Sequence, residues 1–153
     1  MLSSWKPSAS TVCLDASFVV RMLVDSKEGP VADRLWVRWQ KEGRRLVAPP
    51  LMFFEISNAV YRYVRADLFS LERALQVLET ALRLDIDLVT YPELHQEALR
   101  LSHEWRLPAT YDAHYLALAR RLQAPFWTAD RRLARLVRPH FPHVHLLGEE
   151  GAS

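Results

Sequence analysis

Four carboxylates in this sequence lie among apolar residues, and their type is suited to binding a hard metal cation. They are Asp15, Glu55, Asp112 and Asp130. If these side chains converge, mutual repulsion and loss of hydration make them costly as bare anions. A divalent cation would remove that cost, and oxygen ligands with no cysteine or histidine among them favour Mg²⁺ or Mn²⁺. Such ions commonly act on phosphate esters.

Three of these acids also have a simpler interpretation. Asp15, Asp112 and Asp130 each stand at the predicted start of a helix, where an aspartate can cap the N-terminus or lie in the first turn. Glu55 lies inside a largely apolar predicted helix, so capping does not explain it, although a lone glutamate could face outward there. The metal hypothesis therefore depends on the set of four rather than on any one member.

Other polar side chains accompany Glu55 on its helix. Asn58 and Arg62 follow it at positions i+3 and i+7, so the three residues share one helix face. Ordinary surface polarity is the alternative interpretation of Asn58 and Arg62.

Arginine supplies 17 of the 20 basic residues, and six arginines fall between residues 120 and 138. Arginine favours bidentate contacts with phosphate, so this segment is either a solvated helix face or a phosphate-binding surface. The candidates for contacting phosphate on such a surface are Arg120, Arg131 and Arg135.

The elements that must position these residues follow from the hydrophobic pattern. Short apolar runs predict strands over 11–14, 46–48, 86–90, 125–128 and 144–147. Amphipathic segments predict helices over 16–24, from Pro30 onward, and over 51–66, 71–84, 92–105, 111–122 and 130–137. This alternation indicates an α/β fold, a parallel sheet with helices on both faces. Sites in such sheets form at the carboxyl ends of the strands, which is where Asp15 and Asp130 stand.

Length and composition restrict the possible functions. The chain has 153 residues, enough for one domain, predicted over 11–147 with loose ends at 1–10 and 148–153. None of its four glycines lies between a predicted strand and the next helix, which excludes a Walker loop and a dinucleotide fingerprint. The single cysteine, Cys13, excludes a disulfide framework. No secretory signal or membrane-spanning segment is evident, so we expect a cytoplasmic protein without a membrane partner.

Four motifs in order connect these observations to a known family. They are V-C-L-D-A-S (12–17), F-E-I-S-N-A-V (54–60), Y-D-A-H-Y-L-A-L-A (111–119) and W-T-A-D-R-R-L (127–133). With them the chain resembles the PIN-domain nucleases, and most closely the VapC-type ribonuclease toxins of toxin–antitoxin pairs. The resemblance implies strand order 3-2-1-4-5 and an acidic pocket that binds Mg²⁺ or Mn²⁺ and hydrolyses RNA. It assigns the pocket to the four acids, with Ser17 and Thr128 as hydroxyl neighbours and Asn58 as a polar partner.

The predicted helices 51–66 and 71–84 carry more apolar residues than one small domain seems able to bury. The resemblance implies that this region supports a homodimer and binds an antitoxin protein, whereas a fuller core is the simpler alternative. Tryptophans 36, 39, 105 and 127 are expected mainly in the core. Histidines 140, 143 and 145 could bind zinc, but surface or packing roles are favoured.

Together these patterns predict a metal-dependent endoribonuclease that is the toxin of a toxin–antitoxin pair. One alternative is a PIN-fold protein that binds or processes RNA without being a toxin. Another is a binding module that has lost catalysis, although no acid of the pattern is missing. A phosphatase on a similar sheet is disfavoured because the first motif reads D-A-S rather than D-x-D.

Overall fold

The structure, a computed structural model, describes residues 10–149. Within that range the chain forms a five-stranded parallel sheet and seven helices. The strands are β1 (Thr11–Leu14), β2 (Arg45–Ala48), β3 (Asp87–Leu88), β4 (Phe126–Thr128) and β5 (Val144–Leu146). The helices are α1 (Ala16–Leu23), α2 (Gly29–Lys41), α3 (Leu51–Arg65), α4 (Leu71–Leu82), α5 (Leu94–Glu104), α6 (Tyr111–Arg121) and α7 (Arg131–Val137). The strand order β3-β2-β1-β4-β5 confirms the predicted α/β fold and topology.

The central strands are covered on both faces. All four residues of β1 are buried, as expected for a parallel strand between two helical layers. On one face, Cys13 and its partner Phe126 lie under α6, where the Tyr115 ring is 6.1 Å from that of Phe126. On the other face, Leu14 pairs with Trp127. The predicted helices on both faces are therefore present.

Aromatic rings fill the layer on the Trp127 side of the sheet. Trp39 from α2 lies 5.6 Å from Phe18 of α1 and 5.5 Å from Trp127. Trp39, Trp105 and Trp127 are all buried, as predicted, whereas Trp36 is only partly buried. Trp36 and Trp39 are three residues apart in an amphipathic helix, so a narrow buried face accommodates one of them fully.

Some predicted helices and strands are longer than the observed elements. The strand predicted over 86–90 is reduced to Asp87–Leu88, because β3 is an exposed edge strand with one neighbour, β2, where Arg45 Nε donates to Asp87 Oδ2 at 2.7 Å. The helix predicted to reach residue 84 ends at Leu82, and the helix predicted over 92–105 begins at Leu94. Of the predicted loose ends, only residues 10 and 148–149 lie within the described range. No helix in that range has the length and apolar character to cross a membrane.

Three helices are each followed by a residue that has left-handed backbone geometry although it is not glycine. Asp67 follows α3 with φ 57°, Arg106 follows α5 with φ 55°, and Gln123 follows α6 with φ 52°. Glycine is usual at this position because a side chain makes left-handed backbone geometry unfavourable. The C-terminal ends of these helices therefore carry some local strain.

Candidate active site

A cleft of about 720 Å³ opens where β1 and β4 end and α3 and α6 pass across the sheet edge. All four predicted acids line it: Asp15, Glu55, Asp112 and Asp130. Ser17 and Asn58, the predicted supporting residues, also line this cleft. Long-range packing thus brings together residues that the sequence places up to 115 positions apart.

Asp15 is the most strongly held of the acids. It is 5% exposed and accepts hydrogen bonds at Oδ1 from Ser17 Oγ (2.6 Å) and Phe18 N (3.1 Å). Thr128 Oγ1 donates to its Oδ2 at 2.5 Å. Asp15 therefore caps α1, as the simpler interpretation predicted, and also presents its carboxyl group to the cleft. Burial raises the pKa of Asp15 to about 7, against these hydrogen bonds and with a smaller contribution from the charge of Asp112.

Ser17 and Thr128 connect the ends of β1 and β4. Their hydroxyl oxygens lie 3.2 Å apart, and Ser17 Oγ accepts from Ala129 N at 2.8 Å. Thr128 Oγ1 accepts from Asp130 N at 3.0 Å. Thr128 is fully buried behind Asp15 and does not line the cleft itself. The predicted hydroxyl pair thus fixes the carboxylate of Asp15 and the backbone of Asp130.

Asp130 is exposed and caps α7 by accepting from Leu133 N at 3.0 Å. Asp112 stands in the first turn of α6, and its side chain makes no hydrogen bond or ion pair with any described residue. Burial raises the pKa of Asp112 to about 6, with further contributions from the charges of Glu55 and Asp130. All three aspartates therefore hold positions that the simpler interpretation allows: Asp15 and Asp130 are N-caps, and Asp112 lies in a first turn.

Glu55 has a partner that the sequence did not reveal. Tyr115, fully buried in α6, donates its hydroxyl hydrogen to Glu55 Oε1 at 2.6 Å. Burial raises the pKa of Glu55, while the bond from Tyr115 opposes that effect. Tyr115 stands three residues after Asp112, on the same side of the helix, and this spacing is the one signal that could have identified it.

Basic and aromatic residues complete the wall of the cleft. Arg62 lines it as the i+7 spacing from Glu55 suggested, and Arg21 lines it from α1. Sequence reasoning missed Arg21, although it stands four residues after Ser17 on one helix face. Phe54 and Tyr111 also line the cleft, with 76% and 62% of their surface exposed. The cleft therefore offers anionic, cationic and aromatic groups side by side.

The donor set fits a hard divalent cation in chemistry, since it consists of carboxylate oxygens. Burial and neighbouring negative charge raise the pKa of two of these groups, Asp15 and Asp112, so a cation would stabilise their ionised forms. The four acids of the cleft do not form a compact cluster of metal ligands. Among residues 10–149, no group of three histidine, cysteine, aspartate or glutamate side chains is arranged to hold a metal ion as it stands. His140 and His145 instead stack on Trp105 and Trp127, consistent with the packing interpretation.

The predicted RNA-binding arginines lie outside the acidic cleft. Arg131 and Arg135 line a separate cleft of about 510 Å³ on α7, together with Arg138 and Glu149. Arg120 is exposed in the last turn of α6 and lines neither cleft. The structure therefore separates Arg120 from the other two candidates.

Comparisons with known proteins agree with this architecture. The sequence model of the PIN domain family matches residues 12–139. The crystal structure of PAE2754 from Pyrobaculum aerophilum superposes with a TM-score of 0.64 at 24% identity, covering 88% of this chain and 85% of that one. That likeness concerns the fold. No curated protein sequence matches the chain significantly.

Proposed function

We propose that this chain, which belongs to the PIN domain family, is an endoribonuclease that depends on Mg²⁺ or Mn²⁺. PIN domains are typically nucleases that use divalent metals. The observation that carries the proposal is the acidic cleft, where the pKa of the buried Asp15 is raised to about 7 and that of the half-buried Asp112 to about 6. Carboxylates held at this cost are typical of functional sites.

The four acids of the cleft are the residues that would hold the cation. When bound, a divalent cation supplies a Lewis acid for a phosphate oxygen and lowers the pKa of water. Ser17 and Thr128 fix the Asp15 carboxylate, and Tyr115 fixes Glu55 at 2.6 Å, in a position to orient the attacking water. In-line attack on phosphorus with departure of the 3′ oxygen would leave a 5′-phosphate and a 3′-hydroxyl.

The basic and aromatic groups of the cleft support a single-stranded nucleic acid as the substrate. Arg21 and Arg62 can contact backbone phosphates beside the acids. Phe54 and Tyr111 are exposed rings on which unpaired bases can stack. A duplex keeps its bases stacked inside and would leave these rings unused.

The decisive experiment is cleavage of a labelled single-stranded RNA by the purified chain in Mg²⁺, in Mn²⁺ and in chelator. Cleavage by the wild type in either metal, lost in chelator and in Asp112→Asn, supports the proposal. The matched control is Asp33→Asn, which changes an exposed aspartate on α2 and should cleave normally. Absence of metal-dependent cleavage in the wild type would refute it.

We further propose that the protein is the toxin of a toxin–antitoxin pair, acts in the cytoplasm and forms a homodimer. The exposed apolar surface of α3, α4 and the segment between them supports a protein partner there. It comprises Tyr61, Leu68, Leu71, Leu75 and Leu82. Expression of the chain alone should stop growth, and Asp112→Asn should not. Normal growth with active nuclease would favour an RNA-processing enzyme instead.

A further inference from the structure

Two arginines of α7 and Arg138, the residue just after the helix, line a second concave surface, distinct from the acidic cleft. Arg131, Arg135 and Arg138 follow one another at i, i+4 and i+7, so they share one side of the helix. Ala134 and Leu146 contribute an apolar part of the wall, and the volume is about 510 Å³. We call this surface the basic cleft.

Two of its three arginines have no acidic partner within the described part of the chain, residues 10–149. No salt bridge or side-chain hydrogen bond joins Arg131 or Arg135 to any residue in 10–149. Both side chains are exposed. Exposed guanidinium groups held side by side around a concavity repel one another, and a phosphate group would neutralise them with bidentate contacts.

The third arginine is paired with an acid from the C-terminal segment. Arg138 Nη1 donates to Glu149 Oε1 at 2.9 Å, and Glu149 also lines the basic cleft. Gly148, with φ 92°, turns the chain so that Glu149 N donates to Leu146 O at 3.1 Å. The Glu149 carboxylate thus occupies a position beside Arg138 where a phosphate could bind.

This ion pair is weak enough to be exchanged. The side chains of Arg138 and Glu149 are 40% and 51% exposed, and pairs with such exposure contribute little stability. A polyanion that contacts all three arginines would displace a single carboxylate from one of them.

The basic cleft adjoins the acidic cleft. Asp130 lines the acidic cleft, and the next residue, Arg131, lines the basic one. An RNA strand that passes Asp130 on leaving the acidic cleft therefore comes first to Arg131. We propose that the basic cleft binds backbone phosphates of the RNA flank on this side of the scissile bond, and that Glu149 competes with them for Arg138. The inference depends on the proposed function for the identity of the ligand as RNA.

Equilibrium binding tests this in chelator, where cleavage does not interfere. The probe is a fluorescent single-stranded RNA of mixed sequence, titrated at several salt concentrations. Arg135→Gln should weaken RNA binding. It should also reduce the steepness of the fall in log association constant with log salt concentration by about 0.7, the value for one phosphate contact on a single strand. Glu149→Gln should bind about two- to fivefold more tightly, since it removes the competitor in an exposed pair.

The matched control is Arg34→Gln, an exposed arginine on α2 that should leave affinity and slope unchanged. Thermal melts establish that all three variants fold. The inference is overturned if Arg135→Gln behaves like Arg34→Gln, if Glu149→Gln binds RNA no better than wild type, or if the wild type binds no RNA. It is also overturned if Arg135→Gln weakens binding of an acidic polyglutamate peptide more than binding of RNA.

The proposed nuclease activity can fail separately. Binding that depends on Arg135 without metal-dependent cleavage would support the basic cleft and refute the nuclease. Metal-dependent cleavage, with RNA binding unchanged in both Arg135→Gln and Glu149→Gln, would support the nuclease and refute the basic cleft.

Discussion

Replacing Asp112 by asparagine should make the metal-free protein more stable at neutral pH. Burial, with the charges of Glu55 and Asp130, raises the pKa of Asp112 from 3.8 to about 6. The native state therefore binds this proton more tightly than the unfolded chain does. The destabilisation is absent below about pH 4, grows as the pH rises to about 6, and is complete above that value.

The magnitude follows from the same values. A pKa raised from 3.8 to about 6 corresponds to about 3 kcal/mol in the free energy of unfolding. Asparagine cannot ionise, but its amide still loses hydration in the cleft. We therefore expect Asp112→Asn to gain about 1–2 kcal/mol at pH 7.5 in chelator, and nothing at pH 4.

Urea denaturation followed by tryptophan fluorescence measures this difference at both pH values, with and without Mg²⁺. In excess Mg²⁺ the wild type should gain more stability than Asp112→Asn, because a ligand that binds only the native state stabilises it by mass action. Asp33→Asn is the matched control, and its exposed side chain should change stability by less than about 0.5 kcal/mol at either pH.

The reasoning is refuted if Asp112→Asn is less stable than wild type at pH 7.5 in chelator, or if a gain persists unchanged at pH 4. Equal stabilisation of both proteins by Mg²⁺ would remove Asp112 from the metal site.

Three further predictions concern other parts of the molecule. Tyr115→Phe removes the hydrogen bond to Glu55, so it should lower stability by about 1–2 kcal/mol in urea denaturation and reduce kcat more than it changes KM. Gln123→Gly relieves the left-handed backbone after α6 and should stabilise the fold by about 1 kcal/mol in urea denaturation. Leu75→Glu places a charge on the exposed apolar surface and should convert the proposed homodimer to a monomer in sedimentation experiments.

Each of these has a control and a contrary outcome. Tyr61→Phe alters an exposed tyrosine, and an equal loss of kcat there would contradict a specific role for Tyr115. Gln76→Gly in the interior of α4 should destabilise by about 1 kcal/mol, so the same sign for Gln123→Gly would refute the strain argument. A wild type that is already monomeric would refute the homodimer.

Local sequence patterns predict most of the secondary structure around the site. Apolar runs ending in an aspartate predicted the junctions of β1 with α1 and of β4 with α7, and Asp15 and Asp130 cap those helices. Periodicity and capping are local properties, so they can be read from neighbouring residues. The prediction made the edge strand β3 too long, because the length of this strand depends on pairing with a single neighbour rather than on its own composition.

Contacts between side chains that are distant in the sequence could not be predicted, because they depend on how the helices pack against the sheet. The bond from Tyr115 to Glu55 spans 60 residues, and it exists because the fold places Glu55 of α3 beside the buried Tyr115 of α6. Packing also separates Arg120 from the cleft that Arg131 and Arg135 line, although all three arginines were predicted together as candidates for binding RNA. Local spacing fixes the face of a helix on which a residue lies. The residues that this face contacts depend on how the helix packs against the sheet and the neighbouring helices. This packing is determined by the buried surface of the whole domain.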